Sequence, residues 1–163
     1  MTNPATPNPQ SSILNPQSRT RLRLAVAADE GWINAAYADV HFQLSDLSRE
    51  LMVVAEVDGE RAGIGRLVPL SDQACELGGI LVFDQFRGRG IALAIVAELL
   101  RHAAGRTVYC VPFTDLEPIY ARAGFVLCEE EPGRLPKLQE KLDWCRREID
   151  RPVSLMVLSR IED

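Results

Sequence analysis

The chain has few residues of the kinds that hold metal ions or structural disulfides. Its 163 residues include four cysteines with no C-x-x-C pair. The two histidines, His41 and His102, have no ligand spacing with each other or with a cysteine. We therefore expect no metal site, and free buried thiols of the kind found in cytoplasmic proteins.

Long apolar runs and an excess of positive charge are also missing. No stretch approaches the roughly 20 apolar residues that cross a membrane. The net charge of -5 argues against a nucleic-acid surface, which requires a basic stripe. We therefore expect neither nucleic acid nor membrane as a partner.

The first 20 residues differ in composition from the rest of the chain. Prolines stand there among polar residues, without the basic start and apolar core of a secretory signal. Such a segment buries too little apolar surface to offset its ordering entropy. We expect residues 1–20 to form a flexible tail and residues 21–163 to form one domain of a cytoplasmic protein.

The most informative segment is a glycine-rich basic turn between an apolar run and a helical pattern. It comprises residues 85–90, Gln-Phe-Arg-Gly-Arg-Gly, and follows the apolar residues 79–83. Glycines let the backbone approach a ligand closely. The free N–H groups and the dipole of a helix start favour an anion. Because Arg87 and Arg89 add cationic donors, the segment predicts a phosphate-binding turn.

Two common phosphate-binding loops do not fit this turn. The string G-x-x-x-x-G-K-[ST] does not occur, and the dinucleotide fingerprint requires a small residue where this chain has Leu93. The spacing Gln85-x-x-Gly88-x-Gly90 instead resembles the acetyl-CoA pyrophosphate signature of the GNAT N-acetyltransferases. The segment 119–125, Ile-Tyr-Ala-Arg-Ala-Gly-Phe, resembles the late Y-x-[KR]-x-G-F motif of that family. The order of the two motifs makes GNAT the predicted family.

The remaining pattern is similar to the same family over roughly residues 21 to 161. The resemblance implies an α/β (α+β) fold of three layers, with a central mixed, mostly antiparallel sheet of about six to seven strands flanked by helices. Asp58-Gly59 is a strong hairpin signal between two apolar segments. Helices are expected at 29–40, with Asp29 as its cap and Trp32, Ala36 and Val40 on one face, and at 45–50. The expected strands are 22–28, 51–57, 61–70, 75–83, 107–111, 125–128 and 153–160.

An added helix is predicted at about residues 135–149, between the last two strands. Pro136 suits the first helical position. The apolar seam consists of Leu135, Leu138, Leu142, Cys145 and Ile149. We expect this helix to shape the acceptor pocket or to form a homodimer contact; the alternative is a helix that only packs on its own sheet.

The resemblance implies an N-acyltransferase in which a primary amine directly attacks acetyl-CoA, without a covalent enzyme intermediate. Tyr120 is the expected general acid for the departing thiolate, because a tyrosine hydroxyl stays protonated at neutral pH. Glu76 is the candidate base, acting directly or through water. Strand alternation places Glu76 on the same face as Gly78, Ile80 and Val82. The alternatives are a hydroxyl bonded to the backbone for Tyr120 and an exposed strand-end charge for Glu76.

The resemblance also implies the cofactor contacts. Main-chain groups of the strand before the turn would bind the pantetheine arm and supply an oxyanion donor. The turn and helix start would hold the pyrophosphate, and Arg122 would approach the phosphates unless it is simply an exposed helix residue. The predicted cofactor-binding residues are Ile80, Leu81, Val82, Gln85, Phe86, Arg87, Gly88, Arg89, Gly90, Ile91, Ala92 and Arg122.

One position departs from the family pattern. Phe113 stands where the family commonly has an asparagine that contacts the cofactor. This departure leaves open a second function, a non-catalytic module that binds acyl-CoA as a sensor or regulator. The acceptor class, whether small amine, amino acid or protein, is not readable from the pattern.

Overall fold

The structure is a computed structural model that describes residues 19–129 and 135–159. The predicted tail over residues 1–20 therefore lies almost entirely outside the described residues. Within the described part, no helix has the length and apolar character needed to cross a bilayer.

The described part of the chain forms one seven-stranded sheet with four α-helices. The strands are β1 (Thr20–Leu24), β2 (Leu51–Val57), β3 (Glu60–Pro69), β4 (Ala74–Val82), β5 (Thr107–Cys110), β6 (Val126–Leu127) and β7 (Met156–Leu158). The helices are α1 (Glu30–Asp39), α2 (Ile91–Arg101), α3 (Glu117–Arg122) and α4 (Pro136–Glu148). The strand order is β1-β2-β3-β4-β5-β7-β6, in which β4 and β5 are parallel and the other neighbours antiparallel. The predicted mixed, mostly antiparallel sheet is confirmed.

The β2–β3 hairpin turns at the predicted dipeptide. Asp58 has a φ of 50° and Gly59 a φ of 84°, and a two-residue type I′ turn requires positive φ at both positions. Val57 pairs with Glu60 directly across the turn. The local signal therefore sets the register of β2 against β3 at the turn.

Helices cover both faces of the sheet. On one face, α2 buries Ile95 and Leu99 against the central strands, as its helical spacing predicts. On the other face, α1 buries Ile33 and Tyr37 completely. Trp32 and Ala36, two residues of the predicted face, are partly buried at the edge of this core, whereas Val40 is exposed, so the buried face is centred on Ile33 and Tyr37 instead.

The helix predicted at 45–50 does not form. Residues 47–49 make only a turn, in which the Asp46 carbonyl oxygen accepts the Glu50 N–H at 3.0 Å. Ser45 is instead buried, and its backbone N–H donates to Asn34 Oδ1. Its side-chain Oγ accepts a hydrogen bond from Arg66 Nη1, so this hydroxyl does not act as a helix cap.

Asp29 occupies the predicted N-cap position of α1, but its side chain makes no capping hydrogen bond. Its carboxylate oxygens accept hydrogen bonds from the Val26 N–H, the Trp32 indole and both Nη atoms of Arg23. The Arg23 hydrogen bond is the main reason that the pKa of Asp29 lies well below its usual range. The residue therefore ties β1 to the start of the helix rather than capping it.

The seam of α4 faces the chain's own sheet. Leu138 and Leu142 are 0% and 2% exposed. Leu138 lines a cavity with Arg66 and Val68 of β3, and Arg66 stacks on Tyr37, so α4 lies on the same face of the sheet as α1. The seam is covered within the chain and is not available for a dimer contact.

Candidate active site

A bulge in β4 changes which of its side chains share a face. Arg66 of β3 pairs with Gly78, but Ile64 pairs with Leu81, so two residues of β4 stand opposite one residue of β3. Gly79, inside the bulge, has a φ of 58°, a conformation that glycine adopts without strain. The bulge shifts the alternation of every side chain that follows it.

The predicted grouping of side chains on β4 is therefore wrong. Leu81 belongs to the core under α1, on the face of Glu76 and Gly78, whereas Ile80 and Val82 pack against the core under α2. Simple alternation assumes a regular strand and fails where an extra residue is inserted. The two adjacent glycines were the available signal, since glycine inside a strand pattern often marks a bulge.

A groove opens where β4 and β5 separate. The two strands pair only between Ala74–Leu77 and Thr107–Cys110, whereas β4 continues to Val82. The groove has a volume of about 600 Å³. Every predicted cofactor residue lines it except two, Gln85 and Arg89; the lining members are Ile80, Leu81, Val82, Phe86, Arg87, Gly88, Gly90, Ile91, Ala92 and Arg122.

The glycines of the turn have the conformation that the motif requires. Gly88 and Gly90 have φ values of 79° and 78°, and a Cβ atom built on either would meet no other atom within 4 Å. Gly90 is the N-cap of α2, and no side chain caps the first turn of that helix. The helix start therefore presents uncapped N–H groups beside open space.

The side chains around the turn brace its backbone. Phe86 is buried, and the Arg89 guanidinium lies 5.4 Å from the centre of its ring. Arg87 donates to the Val82 carbonyl oxygen at 3.3 Å and pairs with Asp84 at 3.2 Å. Arg87 thus both lines the groove and ties the turn to the end of β4.

Sequence reasoning missed one cation of the groove, Arg151. It lies before the last strand, pairs with both carboxylate oxygens of Asp115, and places its guanidinium 3.9 Å from the centre of the Phe113 ring. Phe113 itself lines the groove, at the position where the motif comparison expected an asparagine. The local sequence around Arg151 contains no signal for this placement.

A smaller cavity, the side pocket, adjoins the groove on the side of α4. It has a volume of about 80 Å³, and Glu76, Arg66 and Lys141 contribute its charged lining. The two cavities share Phe42, Ile80, Phe113, Leu116 and Tyr120. The residues common to both mark the junction where a molecule in the groove would meet one in the side pocket.

Tyr120 lies at this junction. It is 8% exposed, and its ring packs edge-on against Phe125 with centroids 6.1 Å apart. No hydrogen bond joins its hydroxyl to a residue that the structure describes, so the expected alternative of a backbone-bonded hydroxyl is not observed there. Burial raises the pKa of Tyr120 above its usual value, which keeps the hydroxyl protonated at neutral pH.

Glu76 is a buried carboxylate. The residue is only 4% exposed, so the alternative of an exposed strand-end charge is wrong. Lys141 Nζ lies 4.0 Å from Oε1, and this oxygen has no hydrogen-bond partner in the described part of the chain. A Cβ atom at Gly78 would come within 2.6 Å of Oε1, so the glycine leaves the space that the carboxylate occupies.

Arg66 is the second buried charge, and sequence reasoning missed it together with Lys141. It is 2% exposed, and its Nη1 donates to the Gln43 carbonyl oxygen at 2.8 Å and to Ser45 Oγ at 2.7 Å. The guanidinium carbon lies 4.8 Å from the centre of the Tyr37 ring. An arginine inside an apolar strand pattern was the available signal.

The described residues contain no group of three or more histidine, cysteine, aspartate or glutamate side chains arranged to hold a metal ion. The candidate site instead consists of a backbone-lined groove, a tyrosine hydroxyl, two buried charges and the partly buried Lys141. These groups can bind an extended ligand with phosphates and exchange protons at its end.

Comparison with known proteins agrees with this geometry. The model of the acetyltransferase (GNAT) family matches residues 18–125. No curated protein matches the chain at a significant level.

Solved structures share the fold at low sequence identity. Rv2747 from Mycobacterium tuberculosis, in complex with CoA and NLQ, is 24% identical with a TM-score of 0.70, over 86% of this chain and 99% of that chain. N-acetylglutamate synthase from Neisseria gonorrhoeae, complexed with coenzyme A and N-acetyl-glutamate, is 16% identical with a TM-score of 0.65, over 89% of this chain and 36% of that chain. A GNAT family acetyltransferase from Elizabethkingia anophelis with acetyl-CoA bound is 12% identical with a TM-score of 0.63, over 86% of this chain and 98% of that chain.

Proposed function

Because the chain belongs to the GNAT family of acetyltransferases, we propose that it transfers the acetyl group of acetyl-CoA to a primary amine. Acetyl-CoA lies in the groove and the amine enters through the side pocket. The observation that carries this proposal is the position of Tyr120, which lines both cavities at their junction.

The groove fits acetyl-CoA in shape and in polar groups. The unpaired edge of β4 offers main-chain groups to the amide-containing pantetheine arm, as a strand edge does to a peptide. The pyrophosphate lies at the start of α2, where uncapped N–H groups and the helix dipole favour an anion. Similar structures with CoA or acetyl-CoA bound support this assignment.

The reaction is a direct transfer without a covalent enzyme intermediate. The amine nitrogen attacks the thioester carbonyl carbon, and Glu76 accepts the proton that the amine loses, directly or through water. A main-chain N–H of β4 donates to the tetrahedral oxyanion. The carbon–sulfur bond then breaks, and the thiolate takes a proton from the Tyr120 hydroxyl. Proton return from Glu76 to Tyr120 completes the cycle.

Phe113 favours a second candidate, a module that binds acyl-CoA without turnover. The phenylalanine ring stands where the family pattern has a polar side chain, and Arg151 covers one face of it. Such a module would use the same groove and the same turn. Only the convergence of an amine, Glu76 and Tyr120 on the thioester separates the two functions.

We also propose a single domain over residues 21–163 that acts in the cytoplasm, preceded by a flexible tail. The buried thiols of Cys110 and Cys145, which form no disulfide bond, support a reducing compartment. A homodimer would have to use a surface other than the α4 seam.

Two measurements, made one after the other, test the proposed function. Titration calorimetry with acetyl-CoA should show binding to the full chain, and release of free thiol should then depend on an added amine. Absence of binding at millimolar acetyl-CoA would reject both functions. Binding without thiol release for any class of amine would select the non-catalytic module.

A further inference from the structure

The side pocket has the charge pattern of a site for a zwitterion. We propose that the acceptor is a free amino acid, whose amino group lies at Glu76 and whose carboxylate lies between Arg66 and Lys141. This inference rests on the proposed function and names the substrate class of the same site.

The first argument is the balance of charge in the pocket. Arg66 and Glu76 are almost completely buried, and the Lys141 side chain is 16% exposed. Two cations therefore share the side pocket with one carboxylate, and the adjoining cavity that these residues also line adds one charge of each sign, Lys137 and Glu50. A simple alkylammonium would add a further positive charge to this excess, and buried like charges repel strongly. An amino acid enters with no net charge and places its own carboxylate next to the two cations.

The second argument is the hydrogen-bonding capacity left in the pocket. Glu76 Oε1 is a buried acceptor and Arg66 Nε a buried donor, and neither has a hydrogen-bond partner among the described residues. Buried polar atoms in folded proteins nearly always have partners, and one left without costs free energy. A ligand that satisfies both must carry a donor and an acceptor a few bonds apart, as the ammonium and carboxylate of an amino acid do.

The third argument is the glycine pair that forms the floor of the pocket. Gly78 and Gly79 both line it; a Cβ atom on Gly78 would lie 2.6 Å from Glu76 Oε1, and one on Gly79 would lie within 2.9 Å of the Tyr37 phenol and 3.0 Å from Arg66 Nε. Any side chain at Gly78 would displace the carboxylate, and any at Gly79 would displace the Tyr37 ring on which the Arg66 guanidinium stacks. The missing side chains therefore let both charged groups lie side by side in the wall of one pocket.

The role of α4 follows from the same arrangement. Lys141, Trp144 and Cys145 of this helix line the pocket opposite the glycine pair. The helix thus supplies one of the two cations and closes the pocket over the ligand. A protein N-terminus fits poorly, because its amine is followed by a peptide carbonyl and not by a carboxylate.

The test compares acceptors that differ only in the carboxylate. L-leucine, L-leucinamide and isoamylamine form one such set, and L-alanine, L-alaninamide and ethylamine form another. We expect kcat/KM for the amino acid with the preferred side chain, found by screening free amino acids, to exceed that of its amide and its decarboxylated amine by about tenfold to a hundredfold.

A pair of lysine variants tests the binding mode. Lys141→Met should raise KM for the amino acid about tenfold and leave acetyl-CoA affinity unchanged, whereas Lys141→Arg should restore most of the affinity. Arg147→Met is the control, because Arg147 is an exposed cation of the same helix that lines neither cavity and pairs with Glu148. Equal effects of Arg147→Met and Lys141→Met would overturn the proposed contact.

The outcomes separate this inference from the proposed function. Amides and amines that react as well as amino acids would overturn the inference and leave the acetyltransferase function intact. Saturation-transfer NMR on the CoA-loaded protein provides a readout without turnover, and absence of signal for all free amino acids would also overturn it. Absence of acetyl-CoA binding would instead reject the proposed function itself.

Discussion

The two cavities of the candidate site are built in opposite ways. The phosphate end of the groove is made of backbone: two glycines with positive φ and an uncapped helix start, all within residues 88–93. The side pocket is made of side chains, with the buried Arg66 from β3 and Glu76 from β4 and the partly buried Lys141 from α4. A backbone site serves any member of a family that uses one cofactor, whereas a side-chain site can differ in each member that uses a different acceptor.

The largest effect is expected when the Tyr120 hydroxyl, which lies where the two cavities meet, is removed. Tyr120→Phe should lower kcat by about 10²- to 10⁴-fold, the usual contribution of general acid catalysis, and change acetyl-CoA affinity little. Steady-state and single-turnover kinetics measure the effect on kcat, and calorimetry measures the affinity for acetyl-CoA. Tyr109→Phe on β5, which lines neither cavity, is the control. A Tyr120→Phe enzyme with near-normal single-turnover rates would assign the residue a structural role.

The two cavities should also respond differently to loss of packing under α4. Leu142→Ala should lower the free energy of unfolding by about 3 kcal/mol, because the side chain is fully buried and leaves a cavity. In the folded variant, KM for the acceptor should rise and acetyl-CoA affinity should persist, since α4 borders only the side pocket. Chemical denaturation and calorimetry provide the two readouts. A parallel loss of cofactor affinity would show that the cavities are not independent.

The next substitution acts on the groove instead of the side pocket, because it fills the open space beside the glycine turn. Gly88→Trp should weaken acetyl-CoA binding by about a hundredfold, because its side chain would occupy the open space where the pyrophosphate lies and because L residues are strained at positive φ. Gly105→Trp is the matched control, since Gly105 has the same positive φ and open space in the loop after α2. Equal losses of affinity in both variants would show that the loss results from impaired folding and not from a filled pyrophosphate site.

The smallest effect is expected far from both cavities. Asp29→Asn should destabilise the fold by about 1–2 kcal/mol at pH 7 and leave both ligands' affinities unchanged, because Asp29 joins β1 to α1 through Arg23 and Trp32. Its pKa is lowered in the folded state, so its stabilising contribution is present above the unfolded value of about 4 and is lost as pH falls toward the folded value. Denaturation at pH 7 and pH 3 should therefore show a smaller difference between wild type and variant at the lower pH.

Local signals predicted the parts of the fold that local conformation controls. The Asp58-Gly59 hairpin, the glycine turn and the apolar face of α2 all appear as expected. The failures concern elements whose conformation depends on distant partners. The buried face of α1 and the turn at residues 47–49 depend on contacts with β3 and β4. The bulge in β4 depends on pairing with β3, and it reversed the predicted face of Ile80.

The sequence by itself determined the phosphate turn and the position of Tyr120 after it, because glycine conformation, helix starts and motif spacing are properties of short segments. Only the tertiary structure decided the side pocket. Arg66, Glu76 and Lys141 lie on three elements, and they meet because the β3–β4 register and the packing of α4 bring them to one face of the sheet. Charges brought together in this way have no local pattern, so their shared chemistry becomes visible only in the folded chain.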